Sequence, residues 1–151
     1  MADLDDLDLT ILRTLAADGR LSYTDLAKQT GLSTSAAHQR VRRLEERGVI
    51  RGYSAVIDAE AVGLSLTAFV SITPLDRSDP DDLPDRLGGI AAIEACHSVA
   101  GDQNYLLKVR VATPLALEAL LAQIRTTAHV ATRTTVVLST PYENRPGSLA
   151  P

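Results

Sequence analysis

Up to Gly52 the apolar residues recur every three or four positions, and beyond it stretches in which they recur at every second one enter between further helical stripes. The first spacing is that of amphipathic helices and the second that of half-buried strands. Leu4, Leu7, Ile11, Leu12 and Leu15 predict a first helix. Asp5, Asp6 and Asp8 lie at its positive dipole end, and Asp18-Gly19 supplies a stop. Ser22 with Asp25 three residues on predicts a capped second helix from Tyr23 to Thr30, over which Leu21 and Leu26 close as a hydrophobic staple. Gly31 ends it. Ser33 caps a third helix with the inward stripe Ala37, Val41 and Leu44, and Gly48 terminates that one before Val49 and Ile50.

After Gly52, "YSAVI" (Tyr53 to Ile57) predicts a short strand and "DAEAVGLS" a connector. "LTAFVSITP" predicts a strand with Leu66, Ala68, Val70 and Ile72 on one face. Asp79 and Pro80 then open a helix carrying Leu83 and Leu87. "AIEACHSV" and "NYLLKVRVA" predict two strands turned at Ala100, Gly101 and Asp102. Thr113 and Pro114 begin a helix with the stripe Leu117, Leu120, Leu121 and Ile124, and "VATRTTVVLST" closes as a last strand. The order β-α-β-β-α-β is the ferredoxin-like plan. "TPL" at Thr73 to Leu75 and again at Thr113 to Leu115 is a weak internal echo of it. The expected fold class is α+β: a (winged) helix-turn-helix domain over residues 1–52, a strand and linker over 53–64, a ferredoxin-like βαββαβ domain over 65–142, and a tail over 143–151. The sheet face away from the helices is expected to carry Phe69, Leu106 and Val137 together with Cys96, an uncovered apolar surface that wants a partner.

With 151 residues, 45% of them hydrophobic, the chain can bury a core as one domain or two small ones. No window reaches the length of apolar residues that a membrane span requires, and "MADLDDLDLT" is acidic where a secretory signal is basic and then apolar. The expected location is therefore the cytoplasm, with no membrane partner. The single Cys96 excludes an internal disulfide and a thiolate-rich zinc site, and no metal or cofactor is expected.

The net charge is -4, yet it is unevenly distributed. Residues 28–52 carry Lys28, Arg40, Arg42, Arg43, Arg47 and Arg51 against only Glu45 and Glu46, the one strongly basic stretch. Two short helices joined by a glycine turn, the second of them basic, form the arrangement that lays its second helix in the major groove of double-stranded DNA. The outward face of the third helix presents Ser35, His38, Gln39 and Arg42, with Thr34 and Arg43 at its edges. Gln pairs bidentately with adenine and Arg with guanine, while Ser33 to Ser35 at the helix start can hold a phosphate. Arg43 and Arg47 are the expected phosphate contacts. The competing reading is a solvated, arginine-rich face laced to Glu45 and Glu46.

Three segments, "LDDLDLTILRTLAADGR", "LAKQTGLSTSAAHQRVRRLEERGVIRGYSAVID" and "VAGDQNYLLKVRV", stand in the order of the Lrp/AsnC (feast/famine) regulators, which the chain resembles over nearly its whole length. The resemblance implies a nucleoid-associated transcriptional regulator that dimerises through the second domain's sheet. It also implies assembly of four dimers into an octamer and an amino acid or related metabolite as effector, bound between dimers. The implied effector site is the turn Gly101, Asp102, Gln103 and Asn104, with Thr132, Arg133 and Thr134 of the last strand nearby. In this arrangement Gly101 lets backbone amides approach a carboxylate, Asp102 pairs with an ammonium and Arg133 with a carboxylate. The family's turn commonly reads Gly, any residue, Tyr, Asp, and here Gln103 and Asn104 replace the aromatic and the acid with neutral amides.

Two other classes compete with this reading. An enzyme on a ferredoxin-like domain has the candidates Cys96, His97, Asp102, His129 and Arg133. Neighbours in a strand point to opposite faces, however, so Cys96 and His97 do not converge, and Cys96 is expected to be a small buried hydrophobe. An RNA-binding or protein-interaction module rests only on the generality of the helix-turn-helix shape. Within the regulator class, the alternative is an effector-independent, architectural DNA-binding protein.

Overall fold

In the computed structural model, which describes residues 4–76 and 82–143, local side-chain caps set where the N-terminal helices begin. Helices α1 (Asp6–Ala17), α2 (Tyr23–Thr30) and α3 (Thr34–Glu46) start where Asp5, Ser22 and Ser33 accept hydrogen bonds from the backbone N–H groups of Asp8, Asp25 and Ala36. Gly31 ends α2 at φ 70°, and Gly48 follows α3 at φ 68°. After α3 the N–H groups of Gly48 and Val49 return to the carbonyls of Glu45 and Leu44, a closure that needs the left-handed residue between them. Ile11, Leu26, Ala27, Ala37, Val41 and Leu44 are all buried together as the core of the bundle.

One polar tie crosses that core. The Arg40 guanidinium donates to Asp5 Oδ2 and Asp8 Oδ1, both at 2.7 Å, joining α3 to α1. Asp8 is the buried charged residue of this bundle, its side chain 7% exposed. Removing the guanidinium leaves that carboxylate without its counter-charge, which costs far more than losing a surface pair. The Arg40→Ala variant is therefore expected to lose about 2 kcal/mol of stability, readable as a lowered urea midpoint. A double Asp8→Ala, Arg40→Ala variant should recover part of the loss.

The chain divides into two compact units, Met1–Val56 with Tyr142–Pro151, and Ile57–Pro141. Tyr53 falls with the helices because its hydroxyl donates to Glu45 at 3.0 Å and its ring lies against Gly19. Residues 53–57 do not form the expected strand. A strand needs a ladder partner, and the described residues before β1 offer none, so Val56 and Ile57 stay exposed.

The second unit is built as β1 (Leu66–Pro74), α4 (Leu83–Leu87), β2 (Ile93–Ser98), β3 (Tyr105–Val111), α5 (Pro114–Ala128) and β4 (Val130–Val136). All pairings are antiparallel, and the sheet order β2-β3-β1-β4 is that of the ferredoxin-like plan. Asp79 and Pro80 lie outside the described residues, and α4 begins at Leu83 with Pro84 in its first turn. One sheet face packs Ala68, Val70, Ile72, Leu107 and Val109 against Leu117, Leu120 and Ile124 of α5 and Leu83 and Leu87 of α4.

Two expectations about this sheet need correcting. The last strand stops well short of Thr140: Val136 pairs with Ala68, the Val137 N–H reaches the Thr67 carbonyl, and β1 itself begins only at Leu66. Beyond that point Leu138 has no ladder and is exposed. Cys96 does not share a face with Phe69. The β2–β3 register slips between Ile93 and Ala95, placing Cys96 opposite Leu107 on the helix side and His97 opposite Leu106 on the open side. A one-residue bulge exchanges the faces of everything after it. Cys96 is also exposed on this edge strand rather than buried. No helix among the described residues is long and apolar enough to cross a membrane.

Candidate functional site

Helix α3 turns its three arginines to different uses. Ala37, Val41 and Leu44 face the core, and Arg40 follows them inward to Asp5 and Asp8. Ser33, Thr34, Ser35, His38, Gln39, Arg42, Arg43 and Arg47, the residues predicted to meet DNA, are all exposed. His38 is braced edge-on by the Tyr23 ring at the start of α2, with centroids 4.7 Å apart and planes at 81°. Arg42 Nε donates to Glu46 Oε1 at 2.8 Å, one turn along the same face. That pair is of the kind the competing picture of a salt-bridged solvated face expects. Glu45, by contrast, accepts from Tyr53, whose phenol is pushed up to about 12 by burial and by the Glu45 carboxylate.

The caps carry their own electrostatics. The Asp5 carboxyl is held below the ordinary value by the Asp8 N–H and then by Arg40. That of Asp25 is lowered by the Ser22 hydroxyl and then by Lys28. The Asp5 cap and the Asp25 carboxylate in the first turn of α2 thus stay charged at neutral pH, at the positive helix ends.

On the second unit, the open face of the sheet presents Leu106, Phe69 and Val137 on neighbouring strands. Phe69 lies opposite Lys108 and Thr135, which makes Leu106 and Val137 its diagonal neighbours on either side. The face is less apolar than the sequence suggests, because Thr67, Ser71, Thr135, Lys108, Arg110 and Arg133 share it. Glu94, at the bulge, accepts from Arg110 Nε at 2.6 Å and pairs with Lys108 Nζ at 3.0 Å. Burial pushes the Glu94 carboxyl up, but the hydrogen bonds from Arg110 and Lys108 outweigh it and hold the group below its ordinary range.

The predicted effector residues are only partly brought together. The turn between β2 and β3 is fastened by Val99 N–H to the Asn104 carbonyl at 3.0 Å and by Asn104 N–H to the Ile72 carbonyl at 3.1 Å. Gly101 takes φ 152° with nothing near its missing β-carbon, so it is required by its dihedral and not by crowding. Asp102 and Asn104 are exposed and Gln103 half-buried. Arg133 stands opposite Ser71, which stands opposite Leu106, so Arg133 is two strands, about 10 Å, from β3 on the open face. Thr132 and Thr134 pair with Ile72 and Val70 and lie on the helix side instead, Thr132 accepting from Arg125. Within one protomer Thr132 and Thr134 thus face away from Arg133.

At the same end of the sheet is an open cleft of about 600 Å3 lined by Leu75, Asp76, Arg86, Thr127 and His129, which sequence reasoning passed over. Its signal was His129 directly after α5, where a glycine would be expected. Among the described residues it is the one non-glycine with positive φ, at 53°. His129, Cys96 and Asp102 are dispersed over the unit, and no group of three or more metal-binding side chains forms among the described residues.

Comparisons with known proteins match both units. Residues 4–51 match the family described as winged helix-turn-helix DNA-binding, and residues 67–147 the one described as Lrp/AsnC ligand binding domain. The HTH-type transcriptional regulator LrpA of Mycobacterium tuberculosis is 58% identical over 142 residues, covering 94% of this chain and 95% of its own. The leucine-responsive regulatory protein of Escherichia coli is 41% identical over 141 residues, covering 90% and 85%. Among solved structures, a feast or famine regulatory protein of M. tuberculosis complexed with L-methionine superposes with a TM-score of 0.93 at 58% identity, over 95% of this chain and 97% of that one. A transcriptional regulator of Neisseria meningitidis, also in complex with L-methionine, gives 0.87 at 26% identity, over 96% and 97%.

Proposed function

The chain belongs to the Lrp/AsnC family of DNA-binding transcriptional regulators, which are not enzymes, and from that premise we propose how its own residues divide the work. Helix α3 enters the major groove, where Gln39 and Arg42 read or flank bases and His38 lies alongside. Arg43, Arg47 and the helix start at Ser33, Thr34 and Ser35 hold phosphates. The observation that carries this reading is the sorting of α3 itself: its apolar residues and Arg40 are used inside, and eight polar and basic side chains remain exposed on and around it. An acidic sensing unit meanwhile stays off the duplex while a local basic helix approaches it.

The same reading pairs two copies through the open sheet face, along the line of Leu106, Phe69 and Val137. Four such dimers form an octamer, working on nucleoid DNA in the cytoplasm. The effector is an amino acid or related metabolite held between dimers at Gly101, Asp102, Gln103 and Asn104. Arg133 is supplied across an interface, since in its own protomer it stands two strands away. Complexes of two similar regulators with L-methionine support an amino acid as the class.

Calorimetry against the twenty amino acids tests the site. At least one is expected to give saturable heat that an Asp102→Ala variant weakens by about tenfold or more, the loss of a charge-assisted contact. By linkage, a ligand that shifts DNA affinity must have its own affinity shifted by DNA through the same factor. No heat from any of the twenty would favour the effector-independent, architectural regulator, a reading supported by the neutral amides at Gln103 and Asn104.

A further inference from the structure

Glu46 stands at an electrostatically poor place. It is the last residue of α3, where the helix dipole disfavours a carboxylate, and it lies on the face that must approach a polyanion. Its neighbour Glu45 has a structural use, as acceptor for Tyr53. Glu46 has none of that kind: its one partner among the described residues is Arg42, at 2.8 Å, with the two side chains 62% and 69% exposed. A pair that open contributes little to stability and is readily broken.

We infer that Glu46 is a specificity-determining residue that withholds Arg42 from phosphates and releases it only to a base edge. The inference rests on the reading of α3 as the groove-entering helix. Arg42 has three possible partners: Glu46, a phosphate oxygen, or a guanine edge. The guanine edge offers two parallel hydrogen bonds found only at that base, whereas a phosphate, which can also take the guanidinium fork, is offered at every step of any duplex and its contact is weakened by salt. An exposed carboxylate one helical turn away competes well with the second and poorly with the first. On non-cognate DNA Arg42 is therefore shared between Glu46 and phosphate and adds less to affinity. On a cognate groove it lets go and reads. His38 is handled differently, since the Tyr23 ring fixes it without offering a competing charge.

The test compares the wild-type chain with Glu46→Gln, which keeps shape and helix propensity but drops the charge. Both are titrated over a range of salt against a duplex selected by the wild-type chain from random sequence, and against a scrambled duplex. Freeing Arg42 adds one phosphate contact to the non-cognate complex alone. The scrambled duplex should bind about twofold tighter, its salt slope steepening by up to about 0.9, with the cognate slope unchanged and the specificity ratio falling by the same factor. Equal tightening on both duplexes would mean that Glu46 only repels DNA in general, and it would overturn the inference, as would no change on either. An Arg42→Ala control separates this from the underlying reading. If that variant leaves cognate affinity intact, α3 is not the reading helix. If it weakens cognate binding while Glu46→Gln keeps the specificity ratio, only the role of Glu46 is lost.

Discussion

An Arg42→Ala, Arg43→Ala double variant should bind a selected duplex about a hundredfold or more weakly than the wild-type chain, with its fold intact. Both side chains are exposed, so neither change opens a cavity or strands a buried charge. A base contact and a phosphate contact at about 1–3 kcal/mol each account for the loss. The single variants separate the two roles. Arg43→Ala should weaken all sequences alike and lower the salt slope by about one, whereas Gln39→Ala should cost about 1–3 kcal/mol on the cognate duplex and relax one base position. Fluorescence anisotropy on cognate and scrambled duplexes reads all of these. Unchanged affinity in the double variant would remove α3 from the interface.

Leu106→Asp should take the proposed dimer apart. Leu106 is half-buried on the open face, beside Phe69 and between His97 and Ser71 on the neighbouring strands. In an isolated protomer a carboxylate there keeps much of its water, so the unit still folds. Across a two-fold contact the same change places two like charges in the buried centre, and each must lose its hydration without a counter-charge. The variant should run as a monomer in light scattering at micromolar concentration, with unchanged far-ultraviolet circular dichroism and sharply reduced DNA binding. A wild-type chain that is itself monomeric at that concentration would end the proposal that this face pairs.

The parts of the fold that could be read from the sequence are those decided within a few residues. Ser22, Ser33, Gly31 and Gly48 act on backbone groups a few positions away, and the second and third helices begin and end where these residues predict. The ferredoxin-like order was equally legible, because alternation and helical stripes are local too. Features set by a neighbouring strand were not. Tyr53 to Ile57 has the composition of a strand but no ladder partner, and Leu138 lies beyond the reach of β1. The bulge that turns Cys96 and His97 over exists only as a register between β2 and β3, and no residue type marks it. Thr132 and Thr134 were grouped with Arg133 by adjacency, whereas their pairing with β1 sends them to the other face. The exposed face of α3 was visible in its spacing. The inward turn of Arg40 was not, because its partners lie more than thirty residues away.

That inward turn also limits how the regulator can be rewired. Exchanging recognition helices between relatives is the obvious route to a switch that answers to a new operator, and under the proposed reading Ser35, His38, Gln39 and Arg42 are the positions to exchange. Arg40 belongs to the scaffold. A transplanted helix lacking an arginine there would arrive with a vacant place facing Asp8, and the host would give up about 2 kcal/mol of stability for its new specificity. Grafts that preserve residues 37, 40, 41 and 44, or that replace Asp8 and Arg40 together by an apolar pair, should keep the scaffold while the reading surface is exchanged.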